Sequence, residues 1–214
     1  PFVVTPAVVT RLLGAQRFLD EEKESSLLPG VALGLAWTQA GGEVLHVEVS
    51  TMQGKGGLLL TGQLGDVMKE SCQAAVTYIR SRTSELGIDP AFHKNTDIHL
   101  HFPEGAVPKD GPSAGAAICL CVVSALTNRP VRADIAMTGE ITLRGRVLPI
   151  GGIQEKTMAA LRAGIHEVLL PEDNVSDLAE MDPNVRNAVN FTAVSHMDQV
   201  LKKALRPAEE KVAE

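Results

Sequence analysis

The sequence has few aromatic residues, few cysteines and no apolar run long enough to cross a membrane. Aromatic residues make up 3% of the 214 residues, against 44% for all hydrophobic residues, so the core has to be built from aliphatic side chains. The three cysteines (Cys72, Cys119 and Cys121) include no C-x-x-C pair. This pattern argues against a disulfide framework and a zinc knuckle, and it favours reduced, buried thiols. The longest apolar run, at 114–126, is shorter than the roughly 18 residues of a membrane span.

An excess of positive charge is also missing. The chain has 20 basic and 26 acidic residues, which gives a formal net charge of −6. Together with the shortage of aromatic rings, this argues against binding of a phosphate backbone or stacking of bases. Residues 1–7 lack the basic start of a signal peptide, and the C-terminus is not a peroxisomal signal. Because the sequence begins with Pro1 and not with Met, we expect it to be a piece of a longer protein.

Periodicity and turn residues divide the chain into three parts. Apolar residues recur at helical spacing from Val8 to Leu19, and a charged stretch then ends at Pro29-Gly30, so we predict a helix and linker over 1–28. A compact domain is expected over 29–206 and a polar tail over 207–214. Within the domain the pattern predicts strands at 31–37, 43–50, 58–61, 98–102, 167–170 and 188–194, a turn at Gly41-Gly42, a hairpin at 141–148, and helices at 66–86, 113–126, 152–163 and 198–205. Hairpins mixed with long helices indicate an α+β fold.

Ser113 is the first candidate for a reactive residue. It follows the turn-rich residues 108–112 (PKDGP) and stands where an apolar helix is predicted to begin. Free backbone N–H groups and the positive end of the helix dipole lie at such a position, so donors for an oxyanion would be available. A serine at a helix start is more often only a cap, however, and the position alone does not establish catalysis.

Other readings of the same segment remain open. Residues 111–115 (GPSAG) match the G-x-S-x-G elbow of α/β-hydrolase esterases, with His166 or His196 as the base, although the preceding prolines make a poor strand. The loop could instead bind phosphate at a helix start, as in a sugar-kinase-like domain. Residues 151–157 lack the Gly-Lys pair of a P-loop. A non-catalytic scaffold that only assembles rings is a further alternative.

Lys156 is the better candidate for a base. It lies near the start of a predicted helix, and positions three, four and seven residues later are Ala159, Ala160 and Ala163. The lysine therefore heads an alanine stripe on the face that a helix buries. Burial and the helix dipole would both lower its pKa from about 10.4 toward the range of about 7–8 that suits a general base.

His99 and His101 alternate on one face of a predicted strand. A His-x-His pair could bind a metal, but the sequence suggests no third ligand, so we predict no metal site. Structural or site-lining roles are expected for both residues.

Several segments closely resemble Lon proteases. Residues 108–115 resemble the nucleophile segment of that family, and residues 151–156 (GGIQEK) resemble its lysine segment. The resemblance extends in order over roughly 29–205, through 35–38 (LAWT), 61–65 (TGQLG), 99–105 (HLHFPEG) and 137–140 (MTGE). Residues 13–18 resemble the end of the preceding ATPase module.

The resemblance implies a serine endopeptidase with a Ser–Lys dyad, on an α+β fold like the second domain of ribosomal protein S5. Ser113 would be the nucleophile, Lys156 the base and Thr138 the hydroxyl that orients the lysine. Asp110 and Glu48 match acidic positions near the family's site, and His99 and His101 are expected beside it. The amides of Gly111 and Ser113 are candidate oxyanion donors.

The resemblance also implies partners. Unfolded or damaged proteins would be the substrates, and the protease domains would form a homo-hexamer beneath ATPase modules that use ATP and Mg²⁺. The domain itself is expected to need no cofactor, and neither a membrane nor nucleic acid is expected as a partner. The bacterial cytoplasm is the expected location, with the mitochondrial matrix as the alternative.

Overall fold

The computed structural model describes residues 3–14, 27–38, 41–103 and 108–207. Helix α1 (Pro6–Leu13) begins where the Thr5 hydroxyl accepts a hydrogen bond from the Val8 N–H, and it ends at Gly14. None of its residues is buried. The predicted continuation of its apolar pattern to Leu19, most of the linker and residues 208–214 of the tail lie outside the described residues.

A mixed seven-stranded sheet forms the centre of the domain. The strands of this sheet are β1 (Val31–Thr38), β2 (Gly41–Gln53), β3 (Leu58–Thr61), β4 (Thr96–His101), β5 (Ile135–Met137), β8 (Glu167–Pro171) and β9 (Asn190–Val194). Strands β6 (Glu140–Ile141) and β7 (Val147–Leu148) form a separate two-stranded hairpin. The order in the sheet is β3-β4-β2-β1-β5-β8-β9. Strand β2 is antiparallel to both β1 and β4, and the remaining neighbours run parallel.

Helices cover both faces of this sheet. They are α2 (Asp66–Ser81), α3 (Thr83–Leu86), α4 (Phe92–Asn95), α5 (Gly115–Thr127), α6 (Ile153–Arg162), α7 (Pro183–Ala188) and α8 (Met197–Ala204), with a 3-10 helix at Glu172–Ala179. An added Cβ at Gly34 of β1 would meet Ala117 of α5, whereas Trp37 of β1 lies against Gly152 at the start of α6. Because residues an odd number apart on a strand face opposite sides, α5 and α6 pack on opposite faces.

Helix α5 is buried on all sides, which explains why its sequence shows no polar face. It contacts β1 and β2 on one side and α2 and α8 on the other. Every residue from Gly115 to Ser124 is buried. The described residues include no helix that is both long and apolar enough to span a bilayer.

The α+β class and the hairpin near 141–148 are confirmed, but several predicted boundaries are wrong. Gly41 and Gly42 lie in β2 and not in a turn. The single helix predicted over 66–86 breaks at Arg82, which turns away to contact Asp198 (2.6 Å). Ala188 ends α7, and the last strand starts only at Asn190. The sequence prediction missed β5, α4, α7 and the 3-10 helix.

Candidate active site

Ser113 lies in a turn immediately before α5, and not in the first helical turn as predicted. The N-cap of α5 is Ala114, so the serine lies two residues before the first helical residue, Gly115. The Ser113 carbonyl oxygen accepts hydrogen bonds from the Gly139 N–H (2.8 Å) and the Thr138 hydroxyl (3.2 Å). The chain just beyond β5 therefore holds the serine backbone in place.

Lys156 is buried at the start of α6, as the alanine stripe predicts. Its exposure is 3%, and Ala159 and Ala160 are buried beside it. The lysine Nζ donates a hydrogen bond to the Thr138 hydroxyl oxygen (3.2 Å). Burial lowers the pKa of Lys156 to about 8, and the negative charge of Glu155 opposes this effect. An ordinary lysine would be almost fully protonated at neutral pH, whereas this one has an accessible neutral form.

Close backbone contact with β2 sets the position of α6. A Cβ added at Gly42 would lie 2.0 Å from the Glu155 carbonyl oxygen, so only glycine lets the helix approach this far. The Arg162 guanidinium donates to the Gly42 carbonyl oxygen (2.6 Å) at the other end of the same helix. Helix α6 begins after Gly152, which has a φ of +74°. The lysine is thus carried on a helix fixed at both ends.

Ser113 and Lys156 line the same cleft. Its volume is about 470 Å³, and its walls are formed by Trp37, Asp110, Pro112, Ser113, Glu140, Pro149, Ile150, Gly151, Gly152, Glu155 and Lys156. Among the hydrogen bonds of the described residues there is none between the Ser113 and Lys156 side chains. They are connected through Thr138, which accepts from the lysine and donates to the serine carbonyl oxygen.

Asp110 reaches from the cleft to the start of α2. Its Oδ1 accepts hydrogen bonds from the Met68 N–H (3.0 Å) and from the Gly111 N–H (2.8 Å). The Gly111 amide is therefore occupied by a carboxylate. This leaves the Ser113 amide, one of the two amides expected as oxyanion donors, without a hydrogen bond among the described residues.

The structure does not bring Glu48, His99 or His101 to the walls of this cleft. Glu48 is exposed on β2, six residues from Gly42 and so about 20 Å along the strand. His101 is its partner on β4. Both histidines contact the Thr61 hydroxyl, His99 through Nε2 (2.9 Å) and His101 through Nδ1 (2.6 Å).

The histidines of the esterase alternative are engaged elsewhere. Nδ1 of His166 lies 3.3 Å from the Ala188 carbonyl oxygen, and Nε2 of His196 lies 2.9 Å from that of Arg144. Neither residue lines the cleft. Across the described part of the chain, no three His, Cys, Asp or Glu side chains are grouped as metal ligands would be.

The sequence-based predictions gave a role to three of the wall residues (Asp110, Ser113 and Lys156) and none to Trp37, Glu140 and Glu155. Trp37 is 56% exposed at the end of β1, and Glu140 and Glu155 each lie beside a proposed reactive segment. Trp37 is the single tryptophan of the sequence, and this could have marked it as a candidate wall residue. The two glutamates carried no such signal, because Glu140 lies on β6 and Glu155 on α6, and only the assembled fold brings them to one cleft.

A family model and individual relatives all relate this chain to Lon proteases. Residues 3–207 match a family model described as the Lon protease (S16) C-terminal proteolytic domain. The chain is 55% identical over 204 residues to a Lon protease of Lawsonia intracellularis, covering 95% of this chain and 25% of that protein. It is 58% identical over 203 residues to one from Brevibacillus choshinensis (95% and 26%) and 60% identical over 193 residues to one from Heliobacterium modesticaldum (90% and 24%). The chain thus spans about a quarter of the length of these curated relatives.

Proposed function

The chain belongs to the family of Lon C-terminal proteolytic domains and is a peptidase of that family, and on this premise we propose that it cleaves peptide bonds with a Ser113–Lys156 dyad. The observation that carries the proposal is the buried Lys156, which shares a cleft with Ser113 and has a pKa lowered to about 8. A lysine with this pKa is neutral in roughly a tenth of molecules at pH 7, which suffices for a general base.

In the proposed reaction the Ser113 Oγ attacks the peptide carbonyl carbon while neutral Lys156 accepts the hydroxyl proton. The resulting lysine ammonium then gives that proton to the leaving amine as the C–N bond breaks. An acyl-enzyme ester remains on Ser113. In the second half, water attacks the ester, Lys156 accepts its proton, and the same proton returns to Ser113 as the carboxylic acid product leaves. Thr138 acts as the positioning residue, because its hydroxyl contacts both partners.

The negative charge that develops on the substrate carbonyl oxygen needs a donor. The Ser113 N–H is the proposed donor, because it is on the nucleophile itself and the Gly111 N–H already donates to Asp110. Removal of one such donor typically costs about 100- to 1,000-fold in rate.

The assembled protease is proposed to act on unfolded or damaged proteins as a homo-hexamer, with an ATPase module that uses ATP and Mg²⁺. These proposals rest on the family resemblance, as does a location in the bacterial cytoplasm. Residues 1–28 are proposed to belong to the end of that module and its linker. The hydrolytic steps at Ser113 and Lys156 themselves involve neither nucleotide nor metal.

Casein cleavage by the Ser113→Ala variant tests the proposal. We expect complete loss of activity with an unchanged circular dichroism spectrum, because the substitution removes only one hydroxyl. Ser50→Ala, at an exposed position on β2, is the matched control and should remain fully active. Cleavage by Ser113→Ala at the rate of the original chain would contradict the dyad.

A second set of variants distinguishes the dyad from the esterase alternative. Lys156→Gln should be inactive, whereas His166→Gln and His196→Gln should each keep their activity, because neither imidazole lines the cleft. Loss of activity in either histidine variant with an active lysine variant would favour the esterase mechanism.

A further inference from the structure

The segment 61–65 (TGQLG) resembles Lon proteases but has no role in the proposed dyad. In the structure this segment lies beside the residues that precede Ser113. The Lys109 N–H donates to the Gln63 carbonyl oxygen (3.1 Å), and the Gly65 N–H donates to the Lys109 carbonyl oxygen (2.8 Å). Leu64 and Lys109 thereby form an isolated parallel bridge.

The Asp110 side chain strengthens the same junction. Helix α2 begins after Gly65, which has no side chain to cap the first turn, and the Asp110 carboxylate takes over that task through the Met68 N–H (3.0 Å). A carboxylate at this position also interacts favourably with the positive end of the helix dipole. One side chain thus ties the nucleophile loop to the start of a 16-residue helix.

The backbone of the segment is shaped to receive this carboxylate. A Cβ added at Gly65 would lie 2.2 Å from the Asp110 Cγ, so the carboxylate occupies the space that any other residue would fill. Gln63 is one of only two non-glycine residues with positive φ (+54°) in the described part of the chain. Such a conformation is held only where the surrounding structure enforces it.

The nucleophile loop is therefore fixed at two points. Lys109 and Asp110 are bound to the 63–68 region, and the Ser113 carbonyl oxygen is bound by Thr138 and Gly139. Between these points a Cβ added at Gly111 would meet no atom within 4 Å, so the loop has open space on that side. Release of the first point would leave Ser113 held from one side only.

We propose that Gly65 and Asp110 form a positioning pair that sets the location of Ser113 for attack. Gly65 provides the space, and the Asp110 carboxylate joins the loop to α2. Neither residue touches the reacting atoms in this role. The inference rests on the proposed function, because it assigns these residues to the Ser113 nucleophile.

Peptide-cleavage kinetics of single and double variants test the pair. Asp110→Ala and Gly65→Ala should each lower kcat about 10- to 100-fold with little change in KM, since a displacement of about 1 Å at a reacting group can cost about 100-fold. Asp110→Asn keeps the acceptor oxygen and should recover most of the lost kcat. The double variant Gly65→Ala/Asp110→Ala should be no slower than either single one, because both remove the same contact.

The control is Asp66→Asn, an acid-to-amide change one residue from Gly65, whose carboxylate is 93% exposed and pairs with Lys69. It should leave kcat unchanged, both alone and when combined with Gly65→Ala. A fluorophosphonate probe that labels the active serine gives a second readout, which should slow in parallel with kcat in variants that keep the original Tm.

The outcomes separate the two proposals. Unchanged kcat in Asp110→Ala and Gly65→Ala, or a double variant whose losses multiply, would overturn the positioning pair. Full cleavage by Ser113→Ala would instead overturn the dyad. If Gly65→Ala does not fold, Asp110→Ala is compared with Asp110→Asn instead. Equal kcat values in these two variants would refute the positioning pair.

Discussion

Replacement of Lys156 by methionine should stabilise the folded chain while it abolishes cleavage. The lysine is 3% exposed, and its pKa is about 8 in the folded chain, compared with 10.5 for an unperturbed lysine. At pH 7 the amine carries a proton in both the folded and the unfolded chain, so folding has to bury the charge. This lowering of the lysine pKa corresponds to about 3 kcal/mol of unfolding free energy, at about 1.4 kcal/mol per pKa unit.

Methionine has a similar length and no charge, so it should fill the site without this cost. The Thr138 hydroxyl would still donate to the Ser113 carbonyl oxygen, and no new unpaired donor would be created. The expected gain of about 3 kcal/mol corresponds to about 6–12 °C in Tm for a domain of this size. Urea unfolding at pH 7 measures it directly.

The pH dependence gives the sharper test. Between about pH 8 and 10.5 the folded chain has lost the Lys156 proton while the unfolded chain still holds it, so the unfolding free energy should rise with pH. The methionine variant lacks this rise, and its advantage should therefore shrink as pH approaches 10.5. Lys202→Met, at an exposed position of α8, is the matched control and should have little effect. A Lys156→Met variant with the original stability at pH 7, or with a pH-independent gain, would refute the reasoning.

Three further predictions concern activity and packing. The value of kcat/KM should rise with pH and level off above about pH 8, as Lys156 becomes neutral; a profile that is flat from pH 6 to 9 would contradict a lysine base. Thr138→Val should lower kcat about tenfold or more in a peptide assay, whereas Thr138→Ser should keep most of it, because only the hydroxyl contacts Lys156. Gly42→Ala should cost about 1–3 kcal/mol of unfolding free energy through overlap with Glu155, measured by urea unfolding. Gly151→Ala, where an added Cβ meets no atom within 4 Å, should keep the original stability.

The burial of Lys156 could be predicted from the sequence because it depends on a local pattern. Helical period places the lysine on the face of Ala159 and Ala160, and all three are buried in the structure. The apolar helix after Ser113 was predictable for the same reason, although its start was placed two residues too early.

Features that depend on distant contacts could not be predicted. Strand β5 has only three residues, too few for an alternating pattern, and its neighbours β1 and β8 define it. The helix break at Arg82 is marked by no proline or glycine, and the contact of this residue with Asp198 joins it to α8, far along the chain. Gly41-Gly42 has the sequence of a turn, but both residues lie in β2, and the glycine at 42 gives α6 room to pack against the strand.

The contacts of the Asp110 side chain also could not be predicted from the sequence. The family resemblance suggests that Asp110 is a site residue, but the sequence does not show that its partner is the Met68 amide. Local pattern and the family resemblance together indicated Ser113 and Lys156, whereas the contacts that hold them are visible only in the assembled fold.

The parallel pairing of β5 with β1 has a consequence for the order in which this protein matures. Gly34 pairs with Met137, and the residues directly after Met137 hold Ser113 and Lys156. Contacts between such distant parts of a chain form late and slowly in folding. We therefore expect a newly made chain to lack the proposed Ser113–Lys156 arrangement, and to cleave no peptide, until its central sheet has closed.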